Sequence, residues 1–256
     1  MTKEHIWPRW LHKVLLAEDT VDVAVVTRPR AVAGREFTEI RHMRRNGSRL
    51  TRQMRRVCRD CNAGWMSRLQ MAAQPIVEPL VRGESIWLSP EDRAVAAAWV
   101  TMTVMVGEYT DPESVGGTAA ERQWLMTNGA PPASWRIWIA RYDGDLGPPL
   151  YSHDSFASHP DPGEVIRLNG QASILVLGRL FVYAASLPTA NQLELFCSAI
   201  DRVLVPFPGR SDRSIKAPCG PLMNETEFRQ FADLMRWFLH QCAPLAPLPD
   251  HARPRR

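Results

Sequence analysis

Two stretches of the chain combine residue types and spacing that could do chemistry: Cys58-Arg59-Asp60-Cys61-Asn62, and Glu4-His5-Ile6-Trp7-Pro8 near the start. Two thiolates separated by two residues can hold one side of a structural Zn²⁺. The knuckle they make then launches a helix, because Asp60 or Asn62 can accept hydrogen bonds from its first free N–H groups. Asn62 is thereby fixed on a rigid element. With Glu4-His5 across from it, three side chains form a compact site. Its oxygens suit a hard cation, and its imidazole can take a proton near neutral pH.

The order Glu-His-x-x-Pro followed by Cys-x-x-Cys-Asn resembles the HNH endonucleases of the ββα-metal fold. The longer pieces, EHIWPRWL and VCRDCNAGWMSRL, look like a group of bacterial and phage HNH-like proteins, and the resemblance covers roughly residues 1–82. It implies a general base at His5. It also implies a divalent ion, Mg²⁺ or Mn²⁺, on Glu4 and Asn62, and a structural Zn²⁺ braced by Cys58 and Cys61. Such proteins carry a first Cys-x-x-Cys shortly before Glu-His, whereas this sequence begins three residues before Glu4. Three explanations stand open: a true start further upstream, loss of the zinc with Trp65 and Met54 filling its space, or a variant site completed by His12 or His42.

Charge points the same way. Residues 1–70 hold 15 Lys/Arg and 7 Asp/Glu, a balance of +8, while the remainder carries −4. The basic charge is concentrated where the motifs are, the footprint of a phosphate-backbone binder. Nucleic acid, DNA in the first place, is the expected partner. Composition is otherwise that of a soluble globular protein, 45% hydrophobic and 23% charged. No secretory signal is evident. The longest apolar run, Ala94 to Gly107, is 14 residues, which suits a buried helix better than a membrane span. Five cysteines at irregular spacing argue against a disulfide framework and for a reducing cytoplasm.

Local patterns indicate the supports on which these groups would sit. Trp10 to Leu16 reads as a short amphipathic helix, and Val21 to Thr27 as a β-branched strand. Pro29 and Gly34 punctuate a loop. Phe37 to Met43 and Leu50 to Val57 read as a hairpin turned at Asn46-Gly47. Arg41, Arg44, Arg45, Arg49, Arg52, Arg55 and Arg56 load that hairpin, and their planar forks could lie along a phosphate backbone. From Asn62 a helix runs to about Ala73, with Trp65 packed beneath the knuckle. Pro75 and Pro79 interrupt the segment beyond it.

Ser89-Pro90-Glu91-Asp92 starts a helix with a cap, a first-position proline and acids in the first turn. Thr118 to Met126 is a second helix, ended by Asn128-Gly129. Ser134 to Tyr142, Val165 to Leu168, Ser173 to Leu177 and Leu180 to Ala185 read as strands, with Leu193 to Cys197 and Val203 to Val205 as additions. Asn224 opens a last helix to about Gln241. His153 and His159 flank an acidic loop with Asp154 and Asp161, read as polar rather than as a second metal site.

The expected fold class is α+β. An HNH-like ββα-metal module over residues 1–83 precedes a helical segment and a mainly antiparallel sheet domain over 84–242, with a disordered tail over 243–256. The expected function is HNH-type, metal-dependent hydrolysis of phosphodiester bonds in DNA. Two alternatives remain: an inactive HNH-like nucleic-acid-binding protein, and a protein-interaction protein acting through its C-terminal domain.

Overall fold

The computed structural model describes residues 2–15, 21–32, 35–143, 149–156, 170–187, 194, 197–198, 200–209, 211–218 and 220–242. Val165 to Leu168, His159, Asp161 and the tail from Ala243 lie outside the described residues. The fold is α+β, and its frame is one large, mainly antiparallel sheet.

Three strands make the centre of that sheet: β6 (Trp135–Tyr142), β8 (Gly170–Leu177) and β9 (Leu180–Ser186). Side chains alternate between the two faces of a strand, and here both faces are covered. Ile137, Ile139, Leu175, Leu177, Val182 and Ala184 join the larger core, while Trp138, Ala140, Ile174, Val176, Phe181 and Tyr183 join the smaller. Every residue of β8 and β9 is therefore buried, which is why these strands read as continuous apolar runs.

The larger core belongs to α3 (Pro90–Gly107) and α2 (Ser67–Arg82). From Ala96 to Gly107 every residue of α3 is buried, so this part of the helix has no solvent face. Its start is the expected one: the Ser89 side chain accepts from Asp92 N, and the Asp92 carboxylate accepts from Ser89 N. α4 (Ala119–Asn128) begins with the same reciprocal cap between Thr118 and Glu121. α5 (Glu225–Cys242) lays Phe231 and Met235 on the smaller core.

One edge of β6 pairs with β10 (Val205–Phe207) and β12 (Leu222–Met223). On the far side, β8 pairs with β7 (Leu150–Phe156), and β7 runs parallel to β2 (Val21–Val32), which pairs in turn with β3 (Arg35–Asn46). A two-stranded pair of β5 (Ile86–Leu88) and β11 (Ile215–Ala217) stands apart. Among the described residues no helix is long and apolar enough to cross a membrane.

Several expectations are corrected. The hairpin turned at Asn46-Gly47 does not form. β3 pairs with β2, in register from Val21↔Asn46 to Val32↔Arg35. β4 (Gln53–Val57) pairs instead with β1 (Thr2–His5). Gly47 has the positive φ of 108° that its turn signal implies, but it leads into a 3₁₀ turn capped by Ser48 that buries Leu50. Pro29 lies inside β2, in the part beyond the pairing with β7, which ends at Thr27↔Asp154. The large sheet includes strands from both sides of residue 83, through the parallel pairing of β2 with β7. The helix expected over Trp10 to Leu16 is a 3₁₀ helix over Arg9–Lys13.

Pro75 and Pro79 do not interrupt α2, which runs to Arg82 and ends on the left-handed Gly83. Both prolines sit off the face that buries Ala73, Ile76, Val77, Leu80 and Val81. Carbonyls deprived of a partner there can turn to water. Glu194 and Cys197 are helical, not strand. His153 and Asp154 belong to buried β7 rather than to a loop.

Candidate functional site

β1 and β4 run antiparallel, with Glu4 opposite Met54 and His5 opposite Gln53. β4 leads into a single turn of helix, α1 (Arg59–Cys61), then a wider π turn over Asn62–Met66, then α2. Two strands and a helix thus enclose the residues singled out in the sequence. The helix cap is neither Asp60 nor Asn62. It is the Cys58 sulfur, which accepts from Cys61 N at 3.2 Å.

Asn62 is free for another task. Its Nδ2 donates to Thr2 Oγ1 at 3.1 Å and to the Lys3 carbonyl at 3.4 Å, tying the start of the helix to β1. Glu4 is only 6% exposed. Gln70 of α2 donates to its Oε1 at 2.9 Å, and Asn62 adds a side-chain hydrogen bond. Burial nonetheless pushes the Glu4 carboxyl above the usual range, and the two amides only partly restore the charged form. A buried carboxylate held by neutral amides is a place where added positive charge is stabilising. Glu4 supplies a hard carboxylate, while the Asn62 and Gln70 amides turn their nitrogens to their partners. Rotation of those two amides would bring their oxygens to a divalent ion of the Mg²⁺ type, which needs few protein ligands, and on that rotation the donor set fits such an ion.

His5 points to different neighbours. Gln53 Nε2 donates to its Nε2 at 2.7 Å, and the His12 ring lies 6.1 Å away, edge to face. Burial, then Arg9 and His12, hold the His5 imidazole below its ordinary pKa. The shift favours the neutral imidazole, the form a base needs. Its Nε2 lone pair is occupied by Gln53, so an attacking water at that nitrogen must take the place of the amide. Glu4 and Asn62 come together, while the described partners of His5 are Gln53, His12 and Arg9.

Cys58 and Cys61 are both free thiols. The Cys61 side chain and its N–H hold Cys58 below the usual thiol pKa, whereas the same contact and burial push Cys61 up. Among the described residues no three His, Cys, Asp or Glu side chains converge to hold a metal. His12 is spent on the Leu50 carbonyl at 2.9 Å. Two thiolates do not complete the four-ligand shell of structural zinc, so the described side chains do not fit that ion.

No family model matches the chain, and no curated protein or solved structure is significantly similar to it.

The arginines divide among separate elements. Arg44 and Arg45 are exposed on the edge strand β3. Arg41, also on β3, pairs with buried Asp111 at 3.2 Å. Arg49 donates to the Pro149 carbonyl at 3.4 Å. Arg52 is 6% exposed and donates to Thr110 Oγ1, so it braces the fold rather than facing a ligand. Arg55 and Arg56 are exposed on β4, beside β1. Lys3, Arg9, Arg59 and Arg68 are exposed on the same unit and carry no motif that marks them in the sequence. Gln53 and Gln70 are equally unmarked. A glutamine carries no local signal of its contacts. Only the period of α2, which brings residue 70 over β1, could have pointed to it.

Proposed function

We propose that the unit formed by β1, β4 and α2 is a metal-dependent, HNH-type endonuclease site acting on phosphodiester bonds in DNA. The observation that carries this reading is the burial of Glu4 beside the Asn62 and Gln70 amides, one residue before an imidazole whose pKa is lowered. Glu4 and Asn62 hold the divalent ion. Mg²⁺ or Mn²⁺ bound there supplies a Lewis acid for charge on the phosphate and the leaving 3′ oxygen. His5 takes the proton of the attacking water as the P–O3′ bond breaks. Arg55, Arg56 and Lys3 neutralise flanking phosphates.

The test is cleavage of plasmid and single-stranded DNA with Mg²⁺, Mn²⁺ or EDTA. His5→Ala is expected to lower metal-dependent cleavage by about 10²–10⁴-fold, the usual worth of a general base, with an unchanged circular-dichroism spectrum. Undiminished cleavage by this variant refutes the assignment. The hydrogen bond from Gln53 to His5 Nε2 favours one second reading, a non-catalytic nucleic-acid-binding module. That reading requires salt-sensitive DNA binding without nicking at any metal concentration.

A further inference from the structure

Between the π turn, α3 and α4 lies a cavity of about 290 Å³. Met66, Met102, Met105 and Leu125 line its interior and are buried. Trp65 forms a wall, and Met126 reaches it from α4. Methionine surfaces adapt to the shape of an apolar guest and make favourable sulfur contacts with aromatic rings. The mouth is different in kind. Arg56 and Arg122 each lie 5.7 Å from the centroid of the Tyr109 ring. Arg122 is turned to Glu108, with Nη1 2.7 Å from Oε1. Among the described residues Arg56 meets the Tyr109 ring and no carboxylate. Arg56 thus brings a cation to the rim of an apolar cavity, beside an aromatic face.

That combination selects a ligand with a flat, apolar-faced body and an anionic substituent. An unpaired nucleotide has both: a base whose π faces are sequence-independent, and a phosphate. Bases paired in a duplex cannot enter, so the strand must be single or the base turned out. Arg56 lies on β4, and β4 is hydrogen-bonded to the strand that carries Glu4 and His5. Arg56 and Glu4 thus sit on paired strands, with Glu4 opposite Met54, two residues from Arg56. We infer that this cavity takes the base of an unpaired nucleotide, with Arg56 holding its phosphate. The inference rests on the nucleic-acid reading of the β1–β4–α2 unit and gives it a substrate form, a strand with at least one unstacked base.

The experiment uses the full chain carrying His5→Ala, in EDTA, so that binding is read apart from cutting. The probe is a single-stranded oligonucleotide with one 2-aminopurine, whose emission changes when it leaves the stack, compared with the same strand carrying an abasic site. Total binding is followed by anisotropy. The abasic strand is expected to bind about fivefold or more weakly, the usual worth of one stacked base. Ala119→Trp, from an exposed position on the cavity rim, fills the space while leaving every core side chain in place. It is expected to abolish the 2-aminopurine response, and Arg56→Ala to weaken binding of both strands. Equal affinity for the two strands, or an undiminished response in Ala119→Trp, overturns the inference. So does absence of oligonucleotide binding, including the case where the cavity instead captures octanoate. Failure of the nuclease reading is scored separately, as lack of metal-dependent cleavage by the unsubstituted chain. That outcome leaves the binding comparison intact.

Discussion

Glu108 offers a quantitative test of how the loop beside the cavity is held. Its side chain is fully buried at the end of α3. It accepts from Gly117 N at 2.9 Å and pairs with Arg122. Burial outweighs these partners and, with Glu121 nearby, raises the carboxyl from an ordinary 4.5 to about 7. The folded chain therefore binds this proton more tightly than the unfolded chain. The stabilisation is complete below about pH 4.5 and is lost as pH rises towards about 7. At about 1.4 kcal/mol for each pH unit, the loss amounts to about 3 kcal/mol.

Glu108→Gln keeps the shape and the acceptor for Gly117 N but cannot titrate. Urea unfolding of both proteins between pH 4.5 and 8 isolates this group, since other titrations cancel in the difference. The variant is expected to gain about 3 kcal/mol relative to the unsubstituted chain across that range. Parallel stability curves would refute the argument. A relative gain by the unsubstituted chain would also refute it, since it would mean that the Arg122 pair outweighs burial.

Two further outcomes are expected. Arg93 is 1% exposed, and its guanidinium donates to the carbonyls of Pro208, Ser211 and Arg213; Arg93→Ala strands those acceptors and should cost about 3 kcal/mol by denaturant unfolding, whereas a loss under about 1 kcal/mol would show the loop re-solvating freely. Iodoacetamide at neutral pH should label Cys58 well before Cys61, because the contact between them lowers the pKa of the exposed thiol and raises that of its neighbour; equal labelling rates by mass spectrometry would contradict this.

What is legible in the sequence is local. The Ser89 and Thr118 caps, the exit at Gly129 and the apolar strands β6, β8 and β9 are each specified by residues a few positions apart. The choice of distant partners is not legible. Asn46-Gly47 is a sound turn signal, yet β4 pairs with β1, because the strand that leaves β3 must first bury Leu50 and Arg52. Pairing of β1 with β4 spans about fifty residues and has no periodic trace. The same applies to the site. Glu4, His5 and Asn62 stand out by type and spacing. That Gln70 reaches Glu4, and Gln53 reaches His5, depends on the assembled strand pair. The seven arginines read as one stripe because they are close in sequence, and the true partner strands scatter them.

The parallel pairing of β2 with β7 has a consequence for how this chain can be divided. Residues 1–83 are stitched into the sheet by two strands rather than tethered beside it, so the unit holding Glu4 and His5 is not a portable cassette. A fragment beginning after Gly83 would leave β7 with an unpaired flank, an invitation to intermolecular strand addition. It would also strip α2 from α3. Grafting only the first third onto another scaffold would remove the neighbour against which β2 is registered.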